Sequence, residues 1–199
     1  MRKGLLLIIL FLLAGILADA QNIVLTSGSL APLKTETVLK FEFTYNEMLV
    51  GKMTEAEYVE KKVGDYNSKE AGRGDTWQSN WIADRKGRFE PKFLELFDKY
   101  MAEKKIVSGT EGANYVVVVN TDFTEPGFNV GVVRRNASID LSCKILNIES
   151  GEQIASLKIR NASANNFWGT DFDSGYRLQE TYAKAGREFA KFLIKKGKL

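Results

Sequence analysis

Apolar side chains recur along this chain with two different periods, and the switches between them outline its elements. At Leu39, Phe41, Phe43 and Tyr45 they alternate with Lys40, Glu42 and Thr44, the period-two pattern of a strand with one buried face. Thr54-x-x-Glu57 then forms a capping box, with Met53 placed to pack on Tyr58 as a staple. Tyr58, Val59, Val63 and Tyr66 give the helix that follows an apolar side up to about Tyr66. Residues 67–74 read as a polar loop. A second, short helix is predicted to carry Trp77 and Trp81 on one face and to stop near Gly87. Pro91 suits the first turn of a third helix, in which Phe93, Leu94, Phe97, Tyr100 and Met101 follow helical spacing.

Tyr115 to Val119 is apolar at every position, which predicts a central strand covered on both faces. It leads to Glu125-Pro126-Gly127, where proline followed by glycine fits the centre of a type II turn. In the next pair of strands, Ile139, Leu141, Cys143 and Ile145 face the same way as Ala155, Leu157 and Ile159 only if facing residue numbers sum to an even value. A three-residue loop at Glu149-Ser150-Gly151 satisfies that parity, with Gly151 as the left-handed residue. This register pairs Cys143 with Leu157 and Asp140 with Arg160. From Ser174 onward, Leu178, Tyr182, Ala185, Phe189, Phe192 and Leu193 mark one face of a long terminal helix. Asp173 or Ser174 is its expected cap, and Lys191, Lys195 and Lys196 lie toward the negative end of its dipole.

The expected order is β-α-α-α-β-β-β-α, an α/β sandwich of two or three layers. Its mixed sheet has about four strands, the last three an antiparallel meander, with helices packed on it. Residues 21–36 read as an extended lead-in and 37–199 as a single domain.

The first twenty residues change where this domain is expected to act. Arg2 and Lys3 precede an apolar run from Leu5 to Leu17, and Ala18-Asp19-Ala20 is a small-x-small cleavage site. That is the pattern of a cleavable signal peptide over residues 1–20, so a periplasmic or secreted protein is expected. No cysteine stands near the cleavage site to carry a lipid anchor. Removal of Arg2, Lys3 and Asp19 leaves a net charge near +2, too small to predict a nucleic-acid partner. Cys143 is the single cysteine, so no intrachain disulfide forms, which favours a bacterial envelope over a eukaryotic exterior.

The chain holds no histidine, which removes His-dependent triads, most transition-metal sites and the usual proton shuttle near neutral pH. Cys143 falls on the apolar side of its strand, so it reads as an inert core thiol. No catalytic residue, cofactor or metal ligand set is assigned. Asp171-x-Asp173 with Gly175 lacks the other ligands of an EF-hand loop. The candidate ligand site is the segment 165–176, where Asn165, Asn166, Asp171 and Asp173 stand beside Phe167, Trp168 and Tyr176. Aromatic faces with amides and carboxylates suit a glycan or peptide. The alternative is that these aromatics staple the loop to the core while Asp173 or Ser174 caps the helix. Trp77 and Trp81 read as packing residues. A hydrolase with Asp171 and Asp173 as acid and base stays open.

Arg73-Gly74-Asp75 is the tripeptide by which many adhesive proteins engage integrins. Here Asp75, with Gln78 three residues on, reads as the cap of the second helix, and Gly74 as the turn before it.

"GANYVVVV", followed by a strand pair around "NIESGE" and a long terminal helix, resembles the amino-terminal domain of TolB and the related domains of CsgG and of LpoB-type envelope lipoproteins. Those families place Gly-Ala-Asp-Tyr at the start of the strand, where this chain has Asn114. The resemblance covers residues 37–196 in pattern, and 112–119 and 139–159 in residues. "GRGDTW", "TEPGFNVGVVRRNA" and "DFDSGYR" also resemble uncharacterised exported proteins of Bacteroidetes-type bacteria. What the resemblance implies is a non-enzymatic envelope domain that binds another protein or joins an assembly. A small-ligand or glycan binder using residues 165–176 is the alternative. The oligomeric state is left open.

Overall fold

The computed structural model describes residues 22–130, 133–163 and 174–199, with the side chains of 129, 130, 133 and 134 left aside. The expected strand at 39–45 is β2 (Val38–Thr44), and β1 (Asn22–Gly28) precedes it. The short strands β3 (Leu49–Val50) and β4 (Met53–Thr54) lead into α1 (Glu55–Asn67). Next come α2 (Arg73–Asp84), a π turn (Arg85–Phe89) and α3 (Glu90–Met101). The remaining elements are β5 (Val107–Ser108), β6 (Tyr115–Glu125), β7 (Phe128–Val130), β8 (Val133–Arg135), β9 (Ser138–Asn147), β10 (Gln153–Ser163) and α4 (Ser174–Gly197).

The mixed α/β character is as expected, and the sheet is larger. It has eight strands in place of about four, running β1-β10-β9-β6-β2-β5, with β3 paired to β6 and β4 paired to β3, while β7 and β8 form a separate hairpin. β6, β9 and β10 are the predicted antiparallel meander, and β2 lies parallel to β6. The lead-in contributes to this sheet: β1 pairs antiparallel with β10. Only Ile23 and Leu25 of β1 point toward the core, too few to stand out as a period. Beyond it, a 3₁₀ turn (Ala31–Thr35) places Leu30 and Leu33 in the core.

Register decides which face is dry. One row across the sheet reads Leu25, Leu157, Cys143, Val119, Phe43; the adjacent row reads Val24, Lys158, Ser142, Asn120, Thr44. The first row lies toward α3 and α4, and in it Leu157, Cys143 and Val119 are buried. The second is a polar face bearing hydroxyls, amides and lysines, with no helix over it among the described residues. Cys143 pairs with Leu157 as expected, but the turn reaches that parity differently. Asn147 N–H donates to Glu152 O and Gly151 N–H to Asn147 O, closing a four-residue loop with Gly151 at φ 71°. A bulge between Gln153 and Ala155 then restores the match. A second bulge removes the expected Asp140–Arg160 pair. Asn161 takes φ 51° and donates its N–H to Asp140 Oδ1 at 2.7 Å, while Arg160 pairs with Asn22.

The Thr54–Glu57 capping box forms, with both reciprocal bonds made. The second helix departs from expectation at both ends. It starts at Arg73, three residues before the start that a cap at Asp75 implies, and it does not stop at Gly87. The backbone widens into the π turn and continues into α3, keeping Trp81, Phe89, Phe93 and Phe97 buried along one continuous side. Pro91 sits in the first turn of α3, where the missing donor is best tolerated. α3 and α4 pack closely, since a Cβ on Gly186 would overlap the carbonyl oxygen of Phe93.

Candidate binding surfaces

Of the predicted ligand segment, Asn165, Asn166, Phe167, Trp168, Asp171 and Asp173 lie outside the described residues. Tyr176 is described: it stands in the first turn of α4 and is 36% exposed. Arg177 beside it anchors that turn, donating from Nε to Pro126 O at 3.0 Å and from an Nη group to Gly127 O at 3.1 Å. Gly127 has φ 68°, the left-handed residue that the Pro-Gly turn calls for.

One turn further along α4, a groove of about 440 Å³ opens against α3. Lys92 and Leu96 of α3, Ser163 at the end of β10, and Glu180, Ala183, Lys184 and Arg187 of α4 line it. The α4 residues are spaced so that all four lie on one helix face. Lys184 Nζ donates to Ser163 O at 2.8 Å, Arg187 Nε to Glu188 at 2.7 Å, and Lys92 Nζ to Glu95 at 2.7 Å. Burial, and then the neighbouring Arg187, push the Lys184 ammonium below its ordinary range. Sequence reading overlooked this groove because its residues come from three elements far apart in the chain.

The Arg-Gly-Asp tripeptide sits within α2. Gly74 is buried, and a Cβ there would overlap the backbone of Val63 in α1. Its N–H donates to Asn67 Oδ1 at 2.7 Å, and Asn67 Nδ2 also donates to Asp75 Oδ1 at 3.3 Å. Gly74 is thus a point of close approach between helices and not a turn. Asp75 lies inside the first turn, and the cap position belongs to Gly72, whose φ of 81° a side chain would resist. The Arg73 guanidinium lies 5.4 Å from the centre of the Tyr66 ring.

Trp77 and Trp81 are packing residues, as expected. Their rings stack at 5.6 Å, and both contact Tyr58. Trp81 Nε1 donates to Glu55 Oε1 at 2.6 Å, and Arg85 pairs with the same oxygen while its guanidinium covers Tyr45 at 4.2 Å. Deeper in, Tyr182 and Thr121 share a hydroxyl hydrogen bond of 2.6 Å. Cys143 is fully buried, and burial pushes its thiol up to about 12, so it stays a protonated core residue near neutral pH.

β1 offers a surface of another kind. It ends the strand order, so one row of its backbone N–H and C=O groups has no strand partner among the described residues. Asn22–Gly28 carries neither charge nor proline, and Val24 is 45% exposed. The opposite edge, β5, is two residues long. Among the described residues, no group of three or more acidic or cysteine side chains could hold a metal, and no helix is long and apolar enough to cross a membrane.

No family model matches the chain, and no curated protein matches it. Solved structures similar to it include a PelC dodecamer from Paraburkholderia phytofirmans, at 10% identity and a TM-score of 0.38, covering 83% of this chain and 97% of that one. A minor lipoprotein from Acinetobacter baumannii is 7% identical with a TM-score of 0.32, covering 80% and 93%. A DUF330 protein from Xanthomonas campestris is 12% identical with a TM-score of 0.36, covering 51% and 58%. At these identities and TM-scores the likenesses carry no argument about what this chain binds or does.

Proposed function

We propose that the chain is an exported, non-enzymatic module of the cell envelope that engages another protein by strand addition along β1. The observation that carries this reading is the uncharged, proline-free edge of an eight-stranded sheet. Natural sheets blunt such edges with lysine, proline or very short strands. β5 follows that rule at the other side and β1 does not. An extended segment from a partner would satisfy the outer backbone groups and cover Val24, the recognition mode of strand augmentation. The signal-peptide pattern at residues 1–20 and the resemblance of 112–119 and 139–159 to envelope domains support the setting. The buried thiol and the histidine-free sequence support a binding role over a catalytic one.

Affinity capture from the native envelope with the full chain, comparing wild type with Val24→Lys, tests this reading. The expected result is one protein recovered by the wild type and lost with the variant, with slowed amide exchange at 22–28 in the complex. Repeated capture that recovers no protein, or capture unaffected by Val24→Lys, overturns it. A second reading, a small-ligand or glycan binder built around residues 165–176, is supported by exposed Tyr176 beside the groove on α4. Its check is whether glycans or peptides change the intrinsic tryptophan fluorescence.

A further inference from the structure

The groove between α3 and α4 has a chemistry that strand pairing does not use. Among the described residues, its lining holds three cations, Lys92, Lys184 and Arg187, against one carboxylate, Glu180. Lys92 and Arg187 each have a neighbouring carboxylate outside the lining, Glu95 and Glu188, and Glu188 is shared with Lys191 at 3.1 Å. Lys184 differs, because its bond goes to the Ser163 carbonyl. That bond holds the ammonium at the groove wall and removes part of the entropy that a free lysine would lose on binding. The carbonyl supplies no counter-charge, and the attraction of Glu188 for this ammonium is outweighed by burial and by Arg187. A partly buried ammonium beside a guanidinium is favoured by an anion that reaches both. Arg187 spends one N–H on Glu188, and an arginine has five.

The other residues limit the class of anion. Glu180 disfavours a ligand of high negative charge and accepts hydrogen bonds from hydroxyls. Tyr176, four residues before Glu180 on the same helix face, is close enough to act electrostatically on Lys92 and presents an exposed ring. Leu96 and Ala183 add a small apolar floor. We propose that this groove binds a small acidic sugar, whose carboxylate or phosphate bridges Lys184 and Arg187 and whose hydroxyls meet Glu180. The described lining lies on the α3–α4 flank of the fold and shares no residue with β1, so the proposal stands or falls independently of the β1 edge.

Amide NMR of the full chain, titrated with glucuronate, glucose 6-phosphate and neutral glucose, tests the assignment. Saturable shifts at residues 180–187 are expected with at least one acidic sugar and none with glucose. A response to glucuronate alone assigns a carboxylate, and a response to glucose 6-phosphate alone assigns a phosphate. Inorganic phosphate distinguishes recognition of the sugar from recognition of the anion: a response equal to that of the sugar phosphate overturns the sugar assignment. Lys184→Gln and Arg187→Gln should each weaken binding about tenfold, the size of a charge-assisted hydrogen bond, with the unfolding midpoint unchanged. Lys158→Gln, on the polar sheet face, should bind as wild type. Absence of any saturable shift, or binding that survives both groove variants undiminished, overturns the proposal.

Discussion

The two helix pairs of this chain, α3 with α4 and α1 with α2, are joined in different ways. Between α3 and α4 the contact is dry. Phe93, Phe97 and Phe189 are fully buried, their rings interlock with Phe41 of β2, and Gly186 lets the helices approach until backbone meets backbone. α1, by contrast, contains no buried residue. It meets α2 through the half-buried rings of Tyr58, Tyr66 and Trp77 beside the buried Trp81, through Glu55 accepting from Trp81 and Arg85, and through Asn67 bridging to Gly74 and Asp75. Apolar burial is non-directional and scales with area, whereas the second arrangement depends on a few oriented bonds at half-exposed positions. The first pair therefore holds the fold together, and the second is the part able to open without losing the core.

The largest test removes a ring from each pair. Phe97→Ala should cost roughly 3–5 kcal/mol, because a fully buried ring leaves a cavity that the sheet cannot fill. Trp77→Ala should cost about 2 kcal/mol or less, since a half-buried indole at the surface is replaced partly by water. Urea unfolding of both variants gives the ratio, and equal losses would show that the α1–α2 pair is as integral as the other. The next test applies the same insult twice. Gly186→Ala and Gly74→Ala each drive a Cβ into backbone, of Phe93 and Val63 respectively. Gly186→Ala should cost about 3 kcal/mol, whereas Gly74→Ala should cost about 1 kcal/mol because α1 can move aside. Amide exchange in α1 should accelerate with Gly74→Ala and leave β6 and β9 protected.

Raising the pH probes both regions at once. Burial pushes Tyr58, in the α1–α2 corner, up to about 12, does the same to Cys143 in the sheet, and raises Tyr45 and Tyr182 as well. In each case folding favours the neutral, protonated form. Its contribution is complete below the ordinary values of 9.0 for the thiol and 10.0 for the tyrosines; it is lost as pH rises from there toward about 12 for Cys143 and Tyr58, and its loss continues to higher pH for Tyr45 and Tyr182. The thermal midpoint should thus fall between pH 9 and 12. Tyr58→Phe should reduce the slope only slightly, and Tyr182→Phe more, if the dry region controls global unfolding.

The same contrast explains what could be read from the sequence. Leu39 to Tyr45, Ile139 to Ile145 and the α4 face were legible because each buries one side against a large core, and burial writes its period into the chain. The capping box was legible because it is local. β1 was hidden because an edge strand with two inward side chains writes almost no period. The π turn was hidden because Gly87 and Pro91 look like punctuation, and only the continuous burial of Trp81, Phe89 and Phe93 overrides them. The mid-strand register came out right while its loop did not, since parity constrains the facing residues and leaves open where a bulge restores it. Of the predicted ligand residues, Tyr176 is the one described, and it stands exposed in the first turn of α4. The groove beside it was not legible, because Lys92, Ser163 and Lys184 are brought together only by the packing of α3 on α4.

The smallest expected effect concerns Asp75. Its charge lies in the first turn of α2, near the positive end of that helix dipole, and its Oδ1 accepts from Asn67. An exposed carboxylate there contributes about 0.3–1 kcal/mol, and asparagine keeps the acceptor oxygen, so Asp75→Asn should cost no more than about 0.5 kcal/mol. A loss above about 1 kcal/mol would mean that the corner is held by charge and not by its rings, reversing the contrast with α3 and α4. The same variant tests adhesion. An integrin requires the carboxylate and the guanidinium presented together, yet here Gly74 is locked against α1 and Arg73 lies over Tyr66. Attachment of cells to the purified chain should therefore be the same for wild type and Asp75→Asn, and any attachment abolished by this one charge would make the tripeptide a ligand in spite of its place inside a helix.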